Sequence, residues 1–295
     1  MNLNCHEDEI NVVLTSSEYY VPYTYVLMQS ILENTDRKIH FYILTYDISS
    51  ISKENFEILK KIKNFSIDYV YIDIKQYPIP KQMRANPIVY AKMNLPQFLP
   101  ELKKCIVLDS DIIVLTDIGK IYDVDLGDNY VAWVKDPLDI ALNRKCWVVK
   151  FGLPKEKSYI NSGVLVLNLE AYKKDNIEKK LLENYTKFRK NILFFDQDLL
   201  YITLSEKCIY LDYKYNYLCA LPYTEPGLKD AIRSRAEIIH YGSDNKPWVL
   251  PNLELAYLWW RYARKTPYYE IILLRLFSWK NLLIYLLGPF RKMKF

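Results

Sequence analysis

The sequence predicts an α/β fold built on a mainly parallel sheet with flanking helices, plus a short helical appendage at its C-terminal end. Two observations predict it. Strand-length runs of β-branched and aromatic residues alternate with segments of helical periodicity, which is the pattern of strands joined by crossover helices. At 295 residues, 51% hydrophobic and 25% charged, the chain is globular and long enough for one large core with an appendage. The expected boundary lies at residue 250, with a ligand-binding domain over 1–250 and a helical, basic segment over 251–295.

Taken in order, Asn11 to Thr15 (NVVLT), Ile39 to Tyr46 (IHFYILTY) and Ile67 to Ile74 (IDYVYIDI) read as strands. Between them, Tyr23, Val26, Leu27 and Ile31 recur at helical spacing, as do Phe56, Leu59 and Ile62. The next strand-like run is Cys105 to Leu115, CIVLDSDIIVL, with Asp109 and Asp111 in its middle. A strand places residues i and i+2 on one face, so both carboxylates are expected to point the same way. Two ionised carboxylates at close range repel and lose hydration, and a hard divalent cation offsets both penalties. In sheets of this kind ligands gather beyond the carboxyl ends of the strands, where this pair is expected to lie.

Composition removes several alternatives. Glycine is scarce, at 7 residues, and neither a G-x-G-x-x-G fingerprint nor a G-x-x-x-x-G-K-[ST] loop is present. Any phosphate must be held another way. Forty Lys+Arg against 35 Asp+Glu give a formal charge of +5, too mild to call for nucleic acid. Five scattered cysteines without a C-x-x-C pair fit a reduced, cytoplasmic setting, and MNLNCHEDEI does not read as a secretory signal.

Three later segments carry chemistry. YINSGVLVLNL (Tyr159 to Leu169) places Asn161, Ser162 and Gly163 ahead of a buried strand, where an amide can both donate to and accept from hydroxyls and a glycine permits close approach. After it, Ile177, Leu181, Tyr185 and Phe188 mark a helix. FFDQDLLY (Phe194 to Tyr201) puts Asp196 and Gln197 at a helix start facing a cavity, with Asp196 alternatively a plain N-cap. IIHYGSDNKPW (Ile238 to Trp248) places His240 just after an apolar pair and Lys246 six residues on, so an imidazole can complete a metal site while the loop offers N–H groups and an ammonium to a diphosphate.

LDSDIIV, NSGVLVLNL, FDQD and HYGSDNKPW, in that order, resemble glycosyltransferase family 8, the retaining nucleotide-sugar transferases that include bacterial lipopolysaccharide galactosyl- and glucosyltransferases and glycogenin. The resemblance runs from about Asn11 to Trp248. It implies a GT-A fold, a Mn2+ ion (or another divalent cation), a UDP-hexose donor, and a saccharide or glycolipid acceptor. Carried over by position, Asp109, Asp111 and His240 are the implied metal ligands. Lys246 is the implied diphosphate partner, helped by the backbone near Gly242 and Ser243. Lys92, in VYAKMNL, stands where the family commonly has an arginine over donor sugar and phosphate, a change that keeps charge and loses the bidentate fork. Asn161, Asp196 and Gln197 match residues lining the transferred sugar, with Ser110, Ser162 and Gly163 in the same substrate-binding set, and Asp136 falls near the acceptor side. Tyr19 matches an aromatic that packs on uracil. Where the family's first strand often ends in an acidic pair before Asn-Tyr, this chain reads SSEYY, so Ser16 and Glu18 take positions that touch uracil and ribose.

The implied reaction breaks a sugar C1–phosphate bond, with Gln197 or Asp196 set beneath C1 and front-face attack by the acceptor hydroxyl. Two other functions remain open on the residues alone: a degenerate UDP-sugar-binding protein, and a metal-dependent phosphoesterase or nucleotidyltransferase. At the C-terminal end, Thr266-Pro267 reads as an N-cap with a first-turn proline before YYEIILLRLF, and a second helix is expected from Ser278. No acidic residue follows Glu270, whereas Arg275, Lys280, Arg291, Lys292 and Lys294 do. Neither helix is long enough to span a bilayer; the expectation is peripheral attachment to anionic lipid, at the inner face of the cell membrane as the resemblance implies, with a helical pair packed on the core or on another subunit as the alternative.

Overall fold

The computed structural model describes residues 9–74, 88–137, 151–153, 158–219, 221–223 and 227–278. Among these residues, ten strands form two sheets. They are β1 (Ile10–Thr15), β2 (Ile39–Thr45), β3 (Ser66–Tyr71), β4 (Lys104–Leu108), β5 (Ile112–Val114), β6 (Val131–Lys135), β7 (Ile160–Asn168), β8 (Cys208–Leu211), β9 (Tyr217–Leu218) and β10 (Ile238–His240). The large sheet has the order β3-β2-β1-β4-β7-β6-β8 and is parallel except for β7; the small sheet is β5-β10-β9. Helices used below are α1 (Val21–Asn34), α2 (Ser50–Glu57), α3 (Val89–Met93), α4 (Ile177–Phe188), α5 (Phe195–Leu204), α6 (Ala256–Ala263) and α7 (Tyr269–Leu276).

Strand pleating divides the core in two. Val12, Leu14, Phe41, Ile43 and Ile106 face one cluster with α1, while Val13, Tyr42, Leu44 and Val107 face the other with α5. Both faces are covered, so the central strands read as continuous apolar runs, as parallel strands do.

The run CIVLDSDIIVL is two strands rather than one. β4 pairs with β1 and β7 in the large sheet, whereas β5 pairs with β10 in the small one. Asp109, Ser110 and Asp111 form the step between the sheets, so strand alternation does not relate the two carboxylates. Apolar residues on both sides hide the break, and no glycine or proline marks it. The Ser110 hydroxyl holds the step by donating to Thr15 O at 2.9 Å.

The NSG segment also differs from expectation. It lies inside β7, where Trp133 pairs with Leu165 and Val134 with Asn161, leaving residues 162–164 as a bulge. On the other side of β7, the Asp109 N–H donates to Gly163 O at 3.0 Å, so the bulge and the inter-sheet step are fastened together. Bulges re-aim side chains beside functional sites.

At the C-terminal end, α6 and α7 pack on the core. Trp259, Tyr262, Ala263 and Ile272 are buried in the α1 cluster, Tyr23 stacks on Trp248 at 3.8 Å, and Trp248 lies 5.1 Å from Trp259. Thr266 is not the N-cap of α7; Tyr268 is, and the Thr266 hydroxyl accepts the Tyr268 N–H at 3.3 Å. The second helix expected from Ser278 lies outside the described residues. No helix among the described residues is long and apolar enough to cross a membrane.

Candidate active site

Five elements meet at the carboxyl ends of β1 and β4: the inter-sheet step, the β7 bulge, the first turn of α5, α3, and the loop after β10. Asp109, Asp111 and His240 each offer a ligand atom, all within 4.8 Å of one another. His240 Nε2 lies 3.2 Å from Asp111 Oδ1. Two carboxylates and an imidazole suit a divalent cation that accepts oxygen and nitrogen donors, Mn2+ among them.

Gly163 and Gly242 make room for this imidazole. A Cβ on Gly163 would stand 2.6 Å from His240 Nδ1 and closer still to Cε1, and one on Gly242 would stand 3.0 Å from both Cε1 and Nε2. The close approach expected at Gly163 is to a ligand; the structure shows it made to the His240 side chain.

Two lysines neutralise the carboxylates. Lys92, on α3 and 2% exposed, donates to Asp109 Oδ1 and Asp196 Oδ2, both at 2.9 Å. Burial disfavours its charge, yet the two carboxylates outweigh burial and raise its pKa above the usual lysine value. Burial likewise acts to raise Asp196, but Lys92 and the Ser162 hydroxyl hold it below the usual carboxylate range. Lys246 binds Asp111 Oδ2 and donates to Tyr241 O at 2.8 Å. Its ammonium keeps Asp111 ionised against the penalty of burial.

Beside this charged group lies a floor of amides. Gln197 Oε1 accepts from Asn161 Nδ2 and from the Ser162 N–H, both at 3.2 Å, and Gln197 Nε2 donates to Asp136 Oδ2 at 3.3 Å. The Ser162 hydroxyl donates to Asp196 at 3.1 Å. Asp196 and Gln197 sit in the first turn of α5 as expected, but neither is its N-cap, which is Phe194. The end of the helix is satisfied by Asp198, whose Oδ2 accepts the N–H groups of Leu193 (2.7 Å) and Phe194 (2.9 Å) while the Tyr159 hydroxyl donates to Oδ1.

The residues from SSEYY sit differently. Ser16 is buried and accepts from Thr24 at 2.9 Å, in a hydroxyl cluster that includes Ser110. The Glu18 carboxylate accepts the Ser49 N–H (2.9 Å) and the hydroxyls of Ser49 (3.0 Å) and Ser52 (2.8 Å), so it serves the start of α2. Those bonds outweigh burial and lower its pKa. Tyr19 is 58% exposed, and the Arg275 guanidinium from α7 covers its ring at 4.2 Å. In the loop after β10, the Ser243 N–H donates to Tyr241 O at 2.9 Å and its hydroxyl accepts the Asn245 N–H at 3.2 Å.

Sequence reading missed Asn216, which accepts at 2.9 Å from the His240 side and donates at 2.9 Å to Asn161. Its context, KYNY, reads as a turn, and nothing local marks it. Arg275 was missed as a neighbour of the site because its contact spans 256 residues of chain.

A mainly parallel sheet ending in an Asp-x-Asp step, with an imidazole and a lysine delivered by a second sheet, defines a GT-A type glycosyltransferase. The chain belongs to glycosyltransferase family 8: the family described as Glycosyl transferase family 8 matches residues 11–250. A putative glycosyltransferase of Haemophilus influenzae is 26% identical over 250 residues, covering 81% of this chain and 73% of that protein. The lipopolysaccharide 1,3-galactosyltransferase of Salmonella typhimurium is 25% identical over 228 residues, covering 74% and 66%. Among solved structures, the galactosyltransferase LgtC, in complex with donor and acceptor sugar analogs, superposes with a TM-score of 0.74 at 22% identity over 88% of this chain and 96% of its own. The bifunctional glycosyltransferase WbbM gives 0.80 at 21% identity over 94% of this chain, which spans just over half (53%) of WbbM. These two likenesses show the fold.

Proposed function

We propose that this protein is a retaining, Mn2+-dependent hexosyltransferase that moves galactose or glucose from a UDP-sugar to a saccharide acceptor, lipopolysaccharide or another glycolipid. The observation that carries the reading is the meeting of Asp109, Asp111 and His240 within 4.8 Å, beside an amide floor built from Asn161 and Gln197. A divalent cation held by those three residues would supply positive charge for the departing diphosphate. Lys246 adds a second positive charge on the same side, as preorganised electrostatics requires. Lys92 fixes Asp196 in its ionised form facing the floor.

Gln197 is poorly suited to forming a covalent bond, since its Oε1 already accepts two hydrogen bonds. That supports front-face attack by the acceptor hydroxyl, with Gln197 and Asp196 lending negative electrostatic character beneath the sugar. The Salmonella relative, named as a lipopolysaccharide 1,3-galactosyltransferase, supports the acceptor class. We assign residues 1–250 to catalysis and 251–295 to placement at the inner face of the cell membrane. Ile271, Leu274 and Phe277 are exposed beside Arg275, ahead of the basic tail with Arg291, Lys292 and Lys294.

The test is UDP release from a panel of UDP-hexoses with and without Mn2+, with the anomeric configuration of the product read by NMR. Mn2+-dependent release with retained configuration is expected. Inversion overturns the mechanism, and tight UDP binding without turnover on any acceptor favours a degenerate binding protein.

A further inference from the structure

The hydrogen bonds beneath the candidate metal ligands run in one direction, and backbone N–H groups fix that direction. The Ser162 N–H can only donate, so the atom of Gln197 facing it is the oxygen; the Gly163 N–H can only donate, so the atom of Asn161 facing it, at 3.0 Å, is also an oxygen. Asn161 therefore presents its NH2 to Gln197 Oε1, and Gln197 presents its own NH2 to Asp136. The remaining neighbour of Asn161 Oδ1 is Asn216, at 2.9 Å, and an oxygen there would meet an oxygen. Asn216 must turn its NH2 to Asn161. Its oxygen then faces His240 Nδ1 at 2.9 Å and can be satisfied only by an Nδ1–H.

We propose that Asn216 is a positioning residue that holds the proton of His240 on Nδ1 and so leaves Nε2, 3.2 Å from Asp111 Oδ1, as the nitrogen offered to the cation, tying metal affinity to the amide floor under the transferred sugar. This rests on the metal assignment above. A cation between Nε2 and the carboxylate takes the place a proton would otherwise fill, and partners on the far nitrogen are how metal-bound imidazoles are oriented. The burial of Asn216, at 1% exposure, leaves water little room to replace its amide. The same chain of amides reaches Asp136, so a change in the sugar floor is felt at the histidine.

Nitrogen-15 NMR of the metal-free protein reads the tautomer directly, and the chain has only three histidines, His6, His40 and His240, so a His240→Ala spectrum assigns the resonance. A proton on His240 Nδ1 is expected, and a bare Nδ1 overturns the inference without any variant having to fold. Mn2+ binding followed by electron paramagnetic resonance supplies the second reading. Asn216→Leu should weaken Mn2+ roughly 10- to 100-fold. Asn216→Asp keeps an acceptor for Nδ1–H, so it should retain Mn2+ affinity within a few-fold while transfer falls, because it no longer donates to Asn161. Wild-type affinity in a folded Asn216→Leu protein, or equal loss in Asn216→Asp, contradicts the positioning role. A wild-type protein that binds no Mn2+ overturns the metal assignment itself, and the metal half of this inference with it, whatever tautomer is found.

Discussion

The two ends of the candidate site are built from similar residue types and behave differently. At the metal and sugar end, Asp109, Asp111, Asn161, Asp196, Gln197, His240 and Lys246 bond to one another or to Lys92 and Asn216, so each polar group is fixed by another group of the same site. At the SSEYY end, Ser16 and Glu18 bond to the scaffold, to Thr24 and to the start of α2. Tyr19 and Tyr20 are left exposed there, with Tyr19 backed by Arg275. A polar residue beside a site therefore has two possible employments, and the partner that satisfies it decides which.

The comparison breaks most sharply at Asp111. Asp111→Asn should cut transferase activity on the order of 1,000-fold while the protein stays folded, because it removes the charge that would hold the cation from a place where Lys246 compensates it. Steady-state rates beside a thermal melt check this. Lys92→Met comes next, and it affects stability as well. It strands Asp109 and Asp196 without their shared cation, at a cost of about 3 kcal/mol. Denaturant unfolding measures that cost, and added Mn2+ should recover part of it by restoring positive charge beside Asp109.

Gln197→Ala should lower turnover roughly 100-fold with UDP affinity near normal by calorimetry, since Gln197 belongs to the amide floor. Equal loss of UDP affinity would move Gln197 to the nucleotide side. The smallest effect is expected from Glu18→Gln. It should cost about 1 kcal/mol of stability through lost bonds at the start of α2, with little change in donor KM. The sign of its pH dependence follows from the lowered pKa. The contribution of Glu18 is present above the usual carboxylate value and fades as pH falls through the folded-state pKa, so the stability gap between wild type and Glu18→Gln should close below roughly pH 4. A gap that widens in acid, or a donor KM that rises several-fold, would return Glu18 to the ligand.

Much of this was legible in the sequence, for identifiable reasons. The parallel strands β1, β2 and β3 and helix α1 announce themselves because local composition and burial agree. The Asp pair, His240 and Lys246 were legible as residue types, since charge beside buried apolar runs calls for a partner. What stayed hidden depends on long-range contact. The break between β4 and β5 is invisible because both halves are equally apolar, and the bulge in β7 shows only in its register against β6. Asn216 is an ordinary turn residue until β9 is paired beside β10. The bonds of Glu18 were hidden because its partners, Ser49 and Ser52, lie some thirty positions away.

The most direct test of the division between the two ends is a Mn2+ titration of wild type, Asp111→Asn and Glu18→Gln by electron paramagnetic resonance, without nucleotide and then with UDP. Wild type and Glu18→Gln should bind Mn2+ alike and tighten together when UDP is added, while Asp111→Asn loses binding in both conditions. Undiminished Mn2+ binding by a folded Asp111→Asn protein would contradict the central claim.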